Sequence, residues 1–206
     1  IGVFQQPVST IIDTRFLATL PEPELRSGFA EVIKHCLISD RKMWDIIRTK
    51  RLSDQNWTAL VSHSVAFKSG VVEADPRESG LRKILNYGHT IGHALESISL
   101  ESGHRLLHGE AIAIGMVTEA RIAVKKGLLS ESECSEITAY VTMIFGHRKP
   151  EYSMNRLMAL IRQDKKNEDN RILMALPAGI GSHRWDVEVS PEEIGKAMDW
   201  YENLQA

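Results

Sequence analysis

Apolar residues recur at helical spacing through most of the chain between Pro21 and Tyr140. The first such segment opens with Pro21-Glu22-Pro23-Glu24 and keeps an apolar residue every three or four positions up to Leu37. Proline and acidic residues suit the first turn of a helix, because its N–H groups are unpaired and its dipole is positive there. The same reasoning predicts further helices at about 55–74, 82–98, 107–126, from 130 onward, 154–164 and 191–204.

Two stretches are predicted to form β-structure. Val8 to Asp13 (VSTIID) is interpreted as a short N-terminal strand, and Ile172 to Val189 as a small C-terminal hairpin, because Pro177, Gly179 and Gly181 interrupt its apolar residues. The predicted fold class is therefore mainly α, with few strands, as a single domain over residues 1–206.

Composition excludes several classes of protein. The 206 residues are 43% hydrophobic and 25% charged, with a net charge of -2, so bulk electrostatics favour neither a nucleic-acid partner nor an anionic membrane. Cys36 and Cys134 lie far apart and form no CxxC pair, which argues against a disulfide framework and favours a reduced, cytoplasmic location. No apolar run is long enough to predict a membrane span. Because the chain begins with Ile1, we expect it to be part of a longer polypeptide.

The most informative segment is RKILNYGHTIGHALE, residues 82–96. Its polar residues are spaced four, three, four and three apart, which puts them on one stripe of a helix: Arg82, Asn86, His89, His93 and Glu96. A solvated helix face is the alternative, but such a face normally uses Lys, Glu and Gln, which favour helix more than Asn and His do. Gly88 and Gly92 each cost a helix interior roughly 1 kcal/mol relative to Ala. The segment is therefore predicted to gain close packing or a binding site.

Three stretches carry candidate metal ligands. His89 and His93 form an HxxxH pair, His108 opens the next predicted helix, and Glu31 lies among apolar residues with Lys34 one turn further on. Each has an alternative: a chance HxxxH, a capping or core role for His108, and a surface ion pair for Glu31 and Lys34. A buried carboxylate needs a cation to offset its desolvation, and a divalent metal would supply one.

Taken together, these segments resemble the C-terminal domain of 3-dehydroquinate synthase. The matching stretches follow the family's order: GFAEVIKHCLISD at 28–40, FKSGVVEADPRESGLRKILNYGHTIGHALE at 67–96, LLHGEAIAIGM at 106–116 and DKKN at 164–167. The resemblance implies a dehydroquinate synthase-like α-helical domain. It also implies the reaction that converts 3-deoxy-D-arabino-heptulosonate 7-phosphate to 3-dehydroquinate and phosphate in the shikimate pathway, with Zn²⁺ or Co²⁺ and NAD as cofactors.

The resemblance also implies a role for individual residues. The metal ligands match Glu31, His89 and His108, whereas spacing alone would have paired His89 with His93. The family's substrate-contacting positions match Lys34, Lys68, Arg82, Asn86, His93 and one of Lys165 and Lys166. For Lys68 alone, a surface lysine would be the simpler interpretation.

One cofactor site of the family has no counterpart in this sequence. No glycine-rich turn follows a predicted strand, and Gly179 and Gly181 open no helix. The chain is therefore expected to lack the N-terminal NAD-binding domain and to be inactive alone. The resemblance also implies a homodimer when full-length. Three alternatives stay open: another sugar-phosphate cyclase such as 2-deoxy-scyllo-inosose synthase, a metal-stabilised helical module without catalysis, and a plain helical domain whose histidines are core residues.

Overall fold

Helices build most of the protein. The computed structural model describes residues 8–163 and 171–204, and within them it contains α1 (Glu22–Ser39), α2 (Arg41–Ile47), α3 (Trp57–Ala74), α4 (His89–Ser102), α5 (His108–Lys125), α6 (Glu131–Phe145), α7 (Met154–Gln163) and α8 (Pro191–Glu202). Short 3-10 helices span Thr14–Thr19, Leu52–Asp54 and Leu81–Asn86. The mainly α fold class is confirmed.

Local signals set several helix boundaries as predicted. The side chain of Ser130 accepts a hydrogen bond from the Glu133 N–H, and the Glu133 carboxylate accepts one from the Ser130 N–H, which caps α6. Ser190 and Glu193 repeat this capping box at α8, where Pro191 follows the cap. These ends depend on residues four positions apart or fewer, so the sequence alone specifies them.

The C-terminal hairpin is also confirmed. Strand β1 (Ile172–Pro177) pairs antiparallel with β2 (His183–Val189), in a register that sets Ile172 opposite Val189. The N–H of Gly181 donates to the Leu37 carbonyl oxygen over 2.7 Å, which fastens the turn to the end of α1.

The predicted N-terminal strand at Val8 to Asp13 is wrong. These residues form no regular structure, and the 3-10 helix Thr14–Thr19 follows them. A strand needs a neighbour to receive its backbone hydrogen bonds, and in the described residues β1 and β2 pair only with each other. The side chains of Val8 and Ile11 are instead exposed.

The prediction of one continuous helix from Arg82 to Ile98 is also wrong. The segment forms a 3-10 helix to Asn86, extends at Tyr87, turns at Gly88 and begins α4 at His89. Gly88 has a φ of 78°, in the left-handed region that glycine adopts without strain. The break allows the polar stripe to change direction beside α1.

Helix α5 lies at the centre of the fold, with α1, α4, α6 and α8 packed around it. The close packing predicted for the segment that contains Gly88 and Gly92 is confirmed, because a Cβ on Gly115 of α5 would lie 2.0 Å from the Gly88 carbonyl oxygen. Gly109 of α5 approaches α1 equally closely, since a Cβ there would lie 2.1 Å from the carbonyl oxygen of Ser27. The first contact brings the N-terminal end of α4 against α5, and the second brings the N-terminal end of α5 against α1. No helix in the described residues has the length and apolar composition needed to cross a membrane.

Candidate metal centre and adjoining pocket

Three helices bring one carboxylate and two imidazoles together. Glu31 lies in α1, and His89 and His108 are the first residues of α4 and α5. The Oε1 atom of Glu31 lies 3.3 Å from Nε2 of His89 and 3.9 Å from Nε2 of His108. Three ligand atoms from three chain segments therefore face one small volume.

The two oxygens of Glu31 have different surroundings. Oε2 lies 2.7 Å from the ammonium of Lys34, whereas Oε1 is buried and makes no well-aligned hydrogen bond with any residue that the structure describes. Burial raises the pKa of the Glu31 carboxyl, but the imidazoles of His108 and His89 and the Lys34 ammonium together hold it well below its usual range. The carboxylate is thus ionised, with one oxygen available to a cation.

A backbone carbonyl fixes the ring of His89. Its Nδ1 lies 3.0 Å from the Tyr87 carbonyl oxygen, which can only accept a hydrogen bond, so the proton belongs on Nδ1. Burial lowers the pKa of His89 and favours the neutral ring. Nε2 therefore presents a lone pair toward Glu31, as a metal ligand requires.

A carboxylate fixes the ring of His108. Its Nδ1 lies 3.1 Å from Oε2 of Glu96, which leaves Nε2 directed toward Glu31. The contact with Glu31, assisted by Glu96, raises the pKa of His108 against the opposing effect of partial burial. A carboxylate behind an imidazole is the usual support for a metal-binding histidine.

A second set of ligands overlaps the first. Candidate ligand nitrogens of His89, His93 and His108 all lie within 4.8 Å of one another, and the rings of His89 and His93 are 4.9 Å apart. Both sets share His89 and His108. The buried, unsatisfied Oε1 distinguishes them, because an ion bound with Glu31 satisfies that oxygen and one bound by the histidines alone leaves it unsatisfied. Two imidazoles and a carboxylate with open positions fit a catalytic zinc site.

A cavity of about 200 Å³ opens beside these residues. Its lining includes most of the cationic and polar side chains that the sequence singled out: Glu31, Lys34, Lys68, Arg82, Asn86 and His89. His93 lines a neighbouring cavity of about 470 Å³, and Asn86 and Glu78 border both. The two cavities adjoin at these two residues, and together they make up the pocket next to the candidate centre.

Comparison with known proteins identifies the family. The chain matches the family described as "3-dehydroquinate synthase C-terminal" over residues 28–167. The chain belongs to this family. It is 36% identical to the 3-dehydroquinate synthase of Parabacteroides distasonis over 205 residues, which cover 98% of this chain and 58% of that protein. The chain thus spans about three fifths of the length of this curated relative.

Solved structures of related cyclases share the fold. ValA, a 2-epi-5-epi-valiolone synthase from Streptomyces hygroscopicus subsp. jinggangensis 5008 with NAD⁺ and Zn²⁺ bound, superposes with a TM-score of 0.84 at 25% identity, over 98% of this chain and 57% of that one. A 2-deoxy-scyllo-inosose synthase complexed with carbaglucose-6-phosphate, NAD⁺ and Co²⁺ gives 0.74 at 25% identity, over 90% and 55%.

Two of the predicted substrate-contacting residues fall in a part of the chain that the structure does not describe. Lys165 and Lys166 lie outside the described residues. The other predicted residues all border the metal centre or the pocket: Glu31, Lys34, Lys68, Arg82, Asn86, His89, His93 and His108.

Sequence reasoning assigned no individual role to three acidic residues of the site. Glu78 borders both cavities, has a φ of 57° and accepts a hydrogen bond from Asn86 Nδ2 over 2.8 Å. Glu96 holds His108, and Glu119 contacts the first turn of α4. Glu96 could have been found, since it belongs to the polar stripe of residues 82–96. Glu119 offers no local signal, because its partners precede it by about thirty residues.

Proposed function

We propose that this chain is the metal- and substrate-binding part of a 3-dehydroquinate synthase, with Glu31, His89 and His108 as the ligands of one Zn²⁺ or Co²⁺ ion. The observation that carries the proposal is the buried Oε1 of Glu31, which faces both Nε2 atoms beside a cationic pocket. The bound ion would lower the pKa of a substrate hydroxyl and polarise the carbonyl formed from it. The substrate would be 3-deoxy-D-arabino-heptulosonate 7-phosphate.

The cations of the pocket suit an anionic sugar phosphate. Lys34, Lys68 and Arg82 line the smaller cavity, and their charges match a phosphate and a carboxylate. Lys34 is nearly buried and donates to the Leu85 carbonyl oxygen over 2.7 Å, so its ammonium is held beside the metal ligands rather than in solvent. One of Lys165 and Lys166 is proposed to complete this anion site.

Two further side chains are positioned to contact substrate. Asn86 is oriented by Glu78, and its amide borders both cavities. His93 is exposed in the larger cavity, so its imidazole can hydrogen-bond a substrate hydroxyl or exchange a proton with it. These residues have no evident use in a helical module that binds metal only for stability.

The hydride chemistry requires a part of the enzyme beyond this chain. NAD⁺ accompanies the metal in the related cyclases, and an N-terminal domain is proposed to supply it here. The chain alone is then inactive. A homodimer is proposed from the family resemblance and a cytoplasmic location from the two unpaired cysteines, Cys36 and Cys134. Light scattering and cell fractionation can test these two proposals.

The deciding experiment measures turnover of a polypeptide that joins this chain to an NAD-binding domain. With Zn²⁺, NAD⁺ and 3-deoxy-D-arabino-heptulosonate 7-phosphate, we expect equal amounts of phosphate and 3-dehydroquinate. Glu31→Gln should abolish both, while the 206-residue chain alone should produce neither. Turnover of glucose 6-phosphate instead would identify the alternative cyclase, and zinc binding without turnover of either would favour the non-catalytic module.

A further inference from the structure

Two glutamates outside the proposed ligand set contact the helix ends that carry the two histidines. Glu96 is in α4, seven residues after His89, and Glu119 is in α5, eleven residues after His108. Each therefore shares a helix with one imidazole. The hydrogen bonds of each glutamate, however, go to the other helix.

Glu119 secures the helix end that carries His89. Its side chain is fully buried, Oε2 accepts the Gly88 N–H over 2.6 Å and Oε1 accepts the Ile91 N–H over 3.1 Å. Gly88 has no side chain with which to cap α4, so the carboxylate from α5 satisfies these N–H groups and complements the positive end of the helix. His89 lies between the two anchored amides, and its backbone is thereby fixed.

Glu96 reaches from α4 to α5 and holds the imidazole of His108. Its Oε2 lies 3.1 Å from Nδ1 of His108, at the first turn of α5. This contact fixes both the tautomer and the rotation of the ring, and Nε2 then points toward Glu31. Without it, the half-exposed ring of His108 would have other rotamers available.

We infer that Glu96 and Glu119 are positioning residues that hold His108 and His89 in the geometry a divalent ion requires before the ion binds. Each helix contributes one imidazole and one carboxylate that binds the other helix: Glu96 holds the imidazole of His108, and Glu119 holds the backbone amides on either side of His89. The two histidines then lose little conformational freedom on binding, which strengthens affinity. This inference rests on the metal centre of the proposed function and does not depend on which sugar phosphate the enzyme uses.

The experiment is a zinc competition titration of the 206-residue chain against a chelating indicator at fixed pH. Glu96→Ala should weaken zinc binding about 10- to 100-fold. Glu96→Gln keeps an acceptor for the His108 N–H, so it should retain more of the affinity. The matched control is Glu101→Gln, which removes an exposed carboxylate of α4 that pairs with Arg156 and should leave zinc affinity unchanged.

Glu119 is tested by two variants, because a buried position tolerates change poorly. Glu119→Gln removes one of two acceptors, and Glu119→Asp keeps the charge but shortens its reach. Both should weaken zinc binding about 10-fold and alter the visible spectrum of the Co²⁺-loaded chain. Thermal unfolding of the metal-free variants reports any loss of fold separately.

The outcomes distinguish this inference from the proposed function. Unchanged zinc affinity and Co²⁺ spectra in folded Glu96→Ala and Glu119→Asp would overturn the positioning role while leaving the metal centre intact. Failure of the wild-type chain to bind zinc would overturn both. Zinc binding by the wild type and its loss in the variants would support the inference even if the full-length enzyme did not form 3-dehydroquinate.

Discussion

The Nζ atom of Lys34 lies 2.7 Å from Oε2 of Glu31, one helical turn away along α1. The lysine side chain is only 3% exposed and also donates to the Leu85 carbonyl oxygen. The pair is therefore not the solvent-screened surface ion pair that spacing alone allows. It holds a cation at the junction between the proposed metal ligands and the neighbouring pocket.

Replacing Lys34 separates a role in turnover from a role in metal binding. In the full-length enzyme, Lys34→Met should lower kcat at least about 100-fold, because the proposed function places this ammonium beside the reacting hydroxyls. Zinc content should stay at one ion per chain, since the three ligands remain. The control is Lys83→Met, which breaks a more exposed ion pair with Asp186 and should leave kcat unchanged. Equal rates for the two variants would remove Lys34 from the mechanism.

The close approach of α4 and α5 should tolerate no added methyl group at Gly115. A Cβ there would lie 2.0 Å from the Gly88 carbonyl oxygen, so Gly115→Ala must separate the helices and should destabilise the fold by about 1–3 kcal/mol. Gly70→Ala in α3 is the matched control, because a Cβ there meets nothing within 4 Å. The substitution also replaces a glycine in the interior of a helix. It should stabilise the fold by about 1 kcal/mol. Urea unfolding measures both changes, and a destabilised Gly70→Ala or a neutral Gly115→Ala would contradict the packing.

Asp75 should make folding sensitive to strong acid. Its carboxylate accepts N–H bonds from Ser79, Gly80 and Arg82, and the Gly80 bond foremost lowers its pKa from 3.8 to about 2, against the effect of burial. A carboxyl whose pKa is lower in the folded state than in the unfolded state stabilises the fold at any pH above its unfolded-state pKa. That stabilisation is lost as the pH falls through the folded-state pKa. The difference in unfolding free energy between wild type and Asp75→Asn should therefore shrink between about pH 4 and pH 2. A difference independent of pH would show that the loop does not depend on this charge.

His35 should make folding sensitive to mild acid. The side chain is buried, and neither ring nitrogen finds a hydrogen-bond partner among the residues that the structure describes. Burial, together with the charge of Lys34, lowers the pKa of His35 from 6.5 to about 4. Between these two pH values the ring is therefore protonated in the unfolded chain and neutral in the folded chain. Stability should fall as pH drops from about 6.5 to about 4, and His35→Leu should remove that part of the slope. Identical pH profiles for variant and wild type would contradict the buried, neutral ring.

The sequence predicted those parts of the fold that short-range chemistry specifies. The capping boxes at Ser130 and Ser190 and the proline-rich start of α1 are complete within a few residues, and each marks a helix end correctly. The prediction of a strand at Val8 to Asp13 was wrong because a strand requires a neighbouring strand to pair with, and the local sequence pattern does not show whether one is present.

The stripe from Arg82 to Glu96 shows more clearly what helical spacing cannot predict. Its residues do gather at one site, as the spacing suggested, but through a break at Gly88 rather than along one helix. That break is supported by Glu119, a distant residue on α5. Helical spacing therefore identified which residues act together, while the backbone path between them depended on tertiary packing.

We propose that Glu31, rather than His93, joins His89 and His108 around one ion. Zinc content after equilibrium dialysis of wild type, Glu31→Gln and His93→Asn tests it directly, with circular dichroism to verify that each variant is folded. We expect one zinc per chain for the wild type and His93→Asn, and loss of zinc from Glu31→Gln. Retention of zinc by Glu31→Gln together with its loss from His93→Asn would show instead that His93, not Glu31, is the third ligand.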